Sequence, residues 1–155
     1  MTAGLQGEQT VFNHVGICVT DLERSKRFYE QVLQFRYWWE LEAPDEAAGQ
    51  LLEIPAPIGL QAVYMVRDGL VLELLYYREA EVRPFTPRVM NEPGLTHLSF
   101  AVGDIPTVLG KVVPHGGKVL EQTDIKAAVL IRDPDGQLIE LASTDWLDAL
   151  PPLPA

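Results

Sequence analysis

A chain of 155 residues, 47% of them hydrophobic, has the size of one ordinary domain and enough apolar side chains for a core without a covalent staple. Acidic residues outnumber basic ones by 22 to 12, and the resulting net charge of -10 excludes nucleic acid and anionic membrane surfaces, which are held mainly by Lys and Arg. Cys18 stands alone and cannot form an internal disulfide, no apolar run reaches the roughly 20 residues of a spanning helix, and residues 1–8 lack the basic and apolar parts of a signal peptide, so a cytoplasmic location is expected.

Residues 11–19 alternate and are rich in β-branched side chains, which predicts a strand; Asp21 then caps a helix whose apolar stripe is Leu22, Phe28, Tyr29, Val32 and Leu33. Strands are expected over 36–41, 59–66 and 70–77. The acidic, Ala- and Pro-rich stretch 42–57 reads as a loop or flap. Residues 78–94, interrupted by Pro84, Pro87 and Pro93, read as a connection. The plan then repeats. A strand over 95–102 is followed by a helix that Asp104 caps and that carries Ile105, Val108, Leu109 and Val112, closed by Pro114 and Gly116-Gly117. Three more strands are expected over 118–121, 127–131 and 138–141, the last after an Asp133-Pro134-Asp135-Gly136 turn. Residues 144–155 form a Pro-rich tail expected on the surface.

Two segments make the repeat specific. Residues 14–22 align without gaps on 97–105, with a histidine first and a capping Asp seven residues later. Residues 68–74 align on 135–141, with a glutamate four residues after the turn glycine in each: Glu73 after Gly69 and Glu140 after Gly136. The domain therefore spans 10–143, with one module over about 10–78 and another over about 95–143.

Alternation places His14 on the face of Gly16 and Cys18, and His97 on the face of Ser99 and Ala101, while the bulkier apolar residues take the opposite faces for packing against a helix. Each glutamate lies mid-strand between apolar neighbours, where an unpaired carboxylate would cost several kcal/mol or neutralise. A single strand histidine is usually a hydrogen-bonded core residue. Here two of only three histidines occupy equivalent positions, each with an equivalent glutamate, and Arg67 and Arg132 as salt-bridge partners would leave the histidines unexplained. His14, Glu73, His97 and Glu140 are thus expected to converge on one divalent metal ion, and two imidazoles with two carboxylates suit Zn, Ni, Co, Fe or Mn without choosing among them. Cys18 reads as a small space-filler near a pocket and His115 as an exposed turn residue. Arg83, Arg88 and the Trp38-Trp39 pair are expected in surface and core roles, the alternative being contact with a carboxylated or aromatic substrate.

The residues Asn13 to Ile17, Asp21 to Tyr29, Leu95 to Phe100 and Arg132 to Leu141 resemble the vicinal oxygen chelate superfamily, which includes glyoxalase I, methylmalonyl-CoA epimerase and extradiol dioxygenases. The resemblance implies an α+β fold of two βαβββ modules forming a cupped, eight-stranded mixed sheet with a metal inside, commonly in a homodimer acting on a small-molecule substrate. By the same resemblance, Glu140 or Glu73, with Glu140 preferred, would be the base that takes a proton next to a metal-bound carbonyl and forms an enediolate, a lyase or isomerase chemistry. The Leu74-Leu75-Tyr76-Tyr77 run departs from glutathione-using glyoxalase I, and Glu73 stands where the epimerases carry glutamine. An Fe(II) ring-cleaving dioxygenase and a metal-free binding or resistance protein are the alternatives within the superfamily.

Overall fold

The computed structural model describes residues 7–8, 10–86 and 90–152. In chain order these form β1 (Val15–Val19), α1 (Leu22–Gln31), β2 (Arg36–Glu42), α2 (Asp45–Leu52), β3 (Leu60–Arg67), β4 (Leu70–Tyr77), β5 (Leu98–Val102), α3 (Ile105–Val112), β6 (Lys118–Val119), β7 (Ala128–Arg132), β8 (Leu138–Ser143) and α4 (Thr144–Asp148). Eight strands in two βαβββ modules are present as expected, divided between two four-stranded mixed sheets ordered β1-β4-β3-β2 and β5-β8-β7-β6. The first strand of each module runs parallel to the last, β1 to β4 and β5 to β8; the remaining pairs are antiparallel.

Both capping aspartates act as expected. The Asp21 side chain accepts from the Arg24 amide at 2.9 Å and Asp104 from the Thr107 amide at 3.4 Å, satisfying donors that a helix start leaves open. The apolar stripe is fully committed, with Phe28 and Tyr29 of α1 and Leu33 just past its end at 0% exposure. Each such side chain contributes roughly 1.5–3 kcal/mol of burial.

Four local expectations are corrected. The strand expected over 11–19 starts only at Val15, because the parallel register sets Val15 opposite Leu72 and anything before Asn13 would run past the start of β4 at Leu70. Val11 and Phe12 are accordingly exposed. The strand expected over 95–102 starts at Leu98 for the same reason, since Leu98 lies opposite Ile139 and β8 begins at Leu138. The stretch read as a flap holds α2, whose acidic first turn (Asp45, Glu46) suits a helix N-terminus and whose buried Ala48 packs with Ile58 and Leu60. Finally, the tail begins with the short helix α4, although Trp146, Leu147 and Leu150 are exposed as a surface segment requires.

One continuous apolar cluster draws on both modules, including Leu72, Leu74, Met65, Phe28 and Phe35 from the first and Leu98, Val129, Ile139 and Leu141 from the second. Polar and close contacts cross the same boundary. The Tyr29 hydroxyl donates to buried Asp133 at 2.9 Å, Phe35 meets Phe100 edge-on, and Asp135 is held by Thr20, Arg24 and Ser25. At Gly117 an added Cβ would lie 2.6 Å from Phe28 and 2.7 Å from the Arg132 carbonyl, so only glycine permits this approach. Among the described residues no helix is long and apolar enough to cross a membrane.

Candidate metal centre

Each sheet turns one face to the shared core and the other away from it, and strand alternation puts the candidate ligands on the outward faces. In the first module Leu72 and Leu74 point into the core at 0% exposure while Glu73, between them, points out. A two-residue Asp68-Gly69 turn, with both residues at positive φ (49° and 82°), closes the β3–β4 hairpin and pairs Arg67 with Leu70. That register sets Tyr64 opposite Glu73, and the parallel pairing of β1 sets Gly16 on the other side. A Cβ at Gly16 would sit 3.5 Å from Glu73 Oε2, an ordinary van der Waals contact, so the position would accept a small side chain.

His14, one residue before β1, brings Nε2 to 3.1 Å from Glu73 Oε2; the other carboxylate oxygen, Oε1, accepts from the Tyr64 hydroxyl at 2.5 Å. The Glu73 side chain is 12% exposed. Burial, and next the hydrogen bond to Glu73, push the Tyr64 phenol up to about 12. In the second module His97 Nε2 lies 3.6 Å from Glu140 Oε2, and the glutamate is 34% exposed. Ser99 occupies the place of Gly16 and its hydroxyl donates to Glu140 Oε2 at 2.6 Å; Leu130 occupies the place of Tyr64. Thr96 Oγ1 lies 2.9 Å from His97 Nδ1, whereas His14 Nδ1 is buried with no hydrogen-bond partner among the described residues.

The four expected ligands therefore form two pairs. Among the described residues no three His, Cys, Asp or Glu side chains lie close enough to hold one ion, so the expected convergence inside a single chain is not what the fold builds. The cause is the shared core: the modules pack through their helix-bearing faces and leave the two pairs on faces turned away from it. Neither arginine considered as a partner reaches a glutamate. Arg67 bonds Asp68 and the Leu33 carbonyl, and Arg132 the Gly136 carbonyl. In chemistry the pairs fit a divalent ion, each offering one imidazole nitrogen and one carboxylate oxygen, with two carboxylates balancing its charge.

Tyr64, Ser99 and Thr96 were not among the candidates that the sequence singled out, although the two-residue turn fixes Tyr64 opposite Glu73 by counting; Trp39 was named with Trp38, but not as a neighbour of Tyr64. Trp39 stacks on Tyr64 with centroids 4.7 Å apart and planes at 8°. Further along the same outward face, Cys18, Tyr77, Leu52, Ile54 and Arg83 line an open cavity of about 780 Å³. Cys18 is exposed there and does not fill space; burial of its sulfur, and then the charge of Asp135, push its thiol up. His115 is half-buried in a short 3-10 turn over Val113–His115, its Nδ1 2.8 Å from the Lys111 carbonyl. Arg88 and Pro87 lie outside the described residues.

Comparison with known proteins agrees with this architecture. YaeR of Escherichia coli (strain K12), an uncharacterized protein, is 30% identical over 135 residues, covering 83% of this chain and 92% of its own. A glyoxalase family protein from Bacillus cereus superposes with a TM-score of 0.72 at 19% identity, covering 90% of this chain and 98% of that one. The trypanothione-dependent glyoxalase I of Leishmania major gives 0.64 at 21% identity, with 87% of each chain covered. The fosfomycin resistance protein FosX of Listeria monocytogenes in complex with Mn(II) and sulfate gives 0.59 at 14% identity, covering 92% of this chain and 93% of that one. With its family model matching residues 11–141, the chain belongs to the Glyoxalase/Bleomycin resistance protein/Dioxygenase superfamily.

Proposed function

We propose that the protein is a metal-dependent lyase or isomerase that removes a proton next to a carbonyl of a small-molecule substrate, and that it works as a homodimer. The observation that carries this reading is the pair of equivalent His–Glu half-sites, His14 with Glu73 and His97 with Glu140, both on outward faces and each too small to hold an ion alone. A second copy docking its second module against the first module of its neighbour would join the half-sites into two four-residue centres. The Mn(II) complex of FosX, a member of the same fold, supports a divalent ion as the group held.

Such an ion, when bound, supplies Lewis acidity that stabilises negative charge on the substrate oxygen, worth several kcal/mol of barrier. The protein's own part is division of labour between two carboxylates. Glu73, tied on one oxygen by Tyr64 and facing His14 with the other, has no freedom to carry a proton away. Among the described residues Glu140 is hydrogen-bonded by the Ser99 hydroxyl alone, with His97 farther off at 3.6 Å, and is more open, so it is the base that takes the proton and returns it at the neighbouring carbon. An ordered second carboxylate also speaks for the lyase or isomerase over a ring-cleaving dioxygenase, whose iron uses two histidines and one carboxylate.

The test combines exchange and complementation. Metal-loaded protein incubated in D₂O with 2-oxoaldehyde–thiol adducts and acyl thioesters should exchange the α-proton, and Glu140→Gln should abolish exchange while retaining metal. Mixing His14→Ala/Glu73→Ala protein with His97→Ala/Glu140→Ala protein should restore metal binding that neither has alone, because a mixed dimer contains one intact centre. Absence of exchange on every substrate would remove the reaction; absence of restoration would remove the two-copy site.

A further inference from the structure

The bulge in β2 has no counterpart in the sequence pattern of the second module. Tyr37 pairs with Met65 and Trp39 with Tyr64, leaving Trp38 as an extra residue between them. A bulge of this kind re-aims neighbouring side chains. Both indoles meet Tyr64: Trp39 lies flat against its ring, and Trp38 meets it edge-on at 6.5 Å and 84°. The His14 ring closes a further side, edge-on at 5.8 Å. Three rings thus hold one phenol whose hydroxyl reaches Glu73 Oε1.

Packing alone does not require this. In the second module the position facing the glutamate is Leu130, and the sheet forms equally well around it. A hydroxyl at this point instead selects one of two carboxylate oxygens. With Oε1 occupied by Tyr64, turning the carboxylate would break that bond and also draw Oε2 away from His14.

We infer that Tyr64, clamped by Trp39, is a positioning residue that commits Glu73 to present the single oxygen Oε2 to the ion. The inference rests on the metal-dependent reading above and goes beyond it, assigning work to an aromatic pair that packs beside His14 and Glu73. Fixing a ligating carboxylate through an outer hydrogen bond typically governs affinity by about 10–100-fold.

Cobalt(II) titration of the purified dimer, followed by calorimetry and by the visible cobalt bands, reads this directly. Tyr64→Phe should weaken cobalt binding by roughly 10–100-fold and alter the bands while the far-UV spectrum stays unchanged. Trp39→Ala should shift both in the same direction, and Trp39→Phe, which keeps a ring to stack on, should recover most of the loss. In metal-free protein, Tyr64→Phe and Glu73→Gln should shift the melting temperature non-additively, since they remove the two ends of one bond. Unchanged cobalt affinity and bands in Tyr64→Phe would overturn the inference, as would additive melting shifts. If the parent takes up no cobalt, the metal reading fails and with it the positioning role, whereas uptake by the parent with no response to Tyr64→Phe sinks the positioning role alone.

Discussion

The two half-sites share a scaffold and differ in how firmly they hold their glutamates. Glu73 is flanked by Gly16 and Tyr64, approached on one oxygen by the Tyr64 hydroxyl and on the other by His14, and nearly buried; Glu140 is flanked by Ser99 and Leu130, approached on a single oxygen by Ser99 and His97, and a third exposed. Their histidines differ in the opposite sense, with His97 paired to Thr96 and His14 Nδ1 without a hydrogen-bond partner among the described residues. Equivalent backbone with unequal neighbours gives the first glutamate a fixed setting and the second an open one, the difference on which the proposed division of labour rests. Symmetry of strands does not imply symmetry of side-chain surroundings.

Beneath the half-sites the modules should behave alike. Leu74 and Leu141, the core residues that follow the two glutamates, are both at 0% exposure, so Leu74→Ala and Leu141→Ala should each cost about 2–5 kcal/mol in denaturant unfolding. A single cooperative transition in both variants is expected from the shared core; two transitions would show that the modules unfold separately. Gly117→Ala comes next. Its Cβ would strike Phe28 and the Arg132 carbonyl, an overpacking that should cost about 1–3 kcal/mol and so weaken the junction without touching either glutamate.

The Tyr29–Asp133 bond tests the same junction by pH. Burial first, and the charge of Asp133 next, raise the Tyr29 phenol well above its ordinary value near 10. The folded state resists ionisation that the unfolded chain accepts, so the stability it adds is whole below pH 10 and falls as pH rises beyond that. Tyr29→Phe should cost about 1–3 kcal/mol at neutral pH by stripping a donor from Asp133, and should flatten part of the alkaline loss of stability in pH-dependent melts. The smallest effects belong to the helix caps. Asp21→Ala and Asp104→Ala should each cost about 1 kcal/mol, since the longer amide bond to Asp104 (3.4 Å against 2.9 Å) is joined by a second from the Thr107 hydroxyl. Removing that hydroxyl with Thr107→Val should weaken the second cap alone.

The repeat, the succession of strand, helix and strands along each module and the capping aspartates are legible in the sequence because they depend on alternation, turn glycines and spacing, all local. Glu73 opposite Tyr64 was equally legible, since the Asp68-Gly69 turn fixes the register once it is counted. Trp39 was not. Strict alternation cannot anticipate the extra residue at Trp38 that brings both indoles to Tyr64. The helix α2 escaped because Pro44 and the acidic run resemble a loop, while the burial of Ala48 against Ile58 and Leu60 that supports it is tertiary. The separation of the four candidate ligands into two pairs escaped for a deeper reason. Alternation tells which face a side chain takes within its own sheet, and it carries no information on how one sheet lies against another.

Asp135 sits in the hairpin that delivers Glu140, yet its carboxylate is gripped by Thr20, Arg24 and Ser25 around the start of α1. The second half therefore borrows its bracing from the first. Severing the chain between residues 78 and 94 would leave a carboxyl-terminal fragment with a bare aspartate at the root of the Glu140 hairpin and an uncovered seam along Phe100 and Gly117, so two genes encoding the halves would have to be co-expressed for either product to keep its shape.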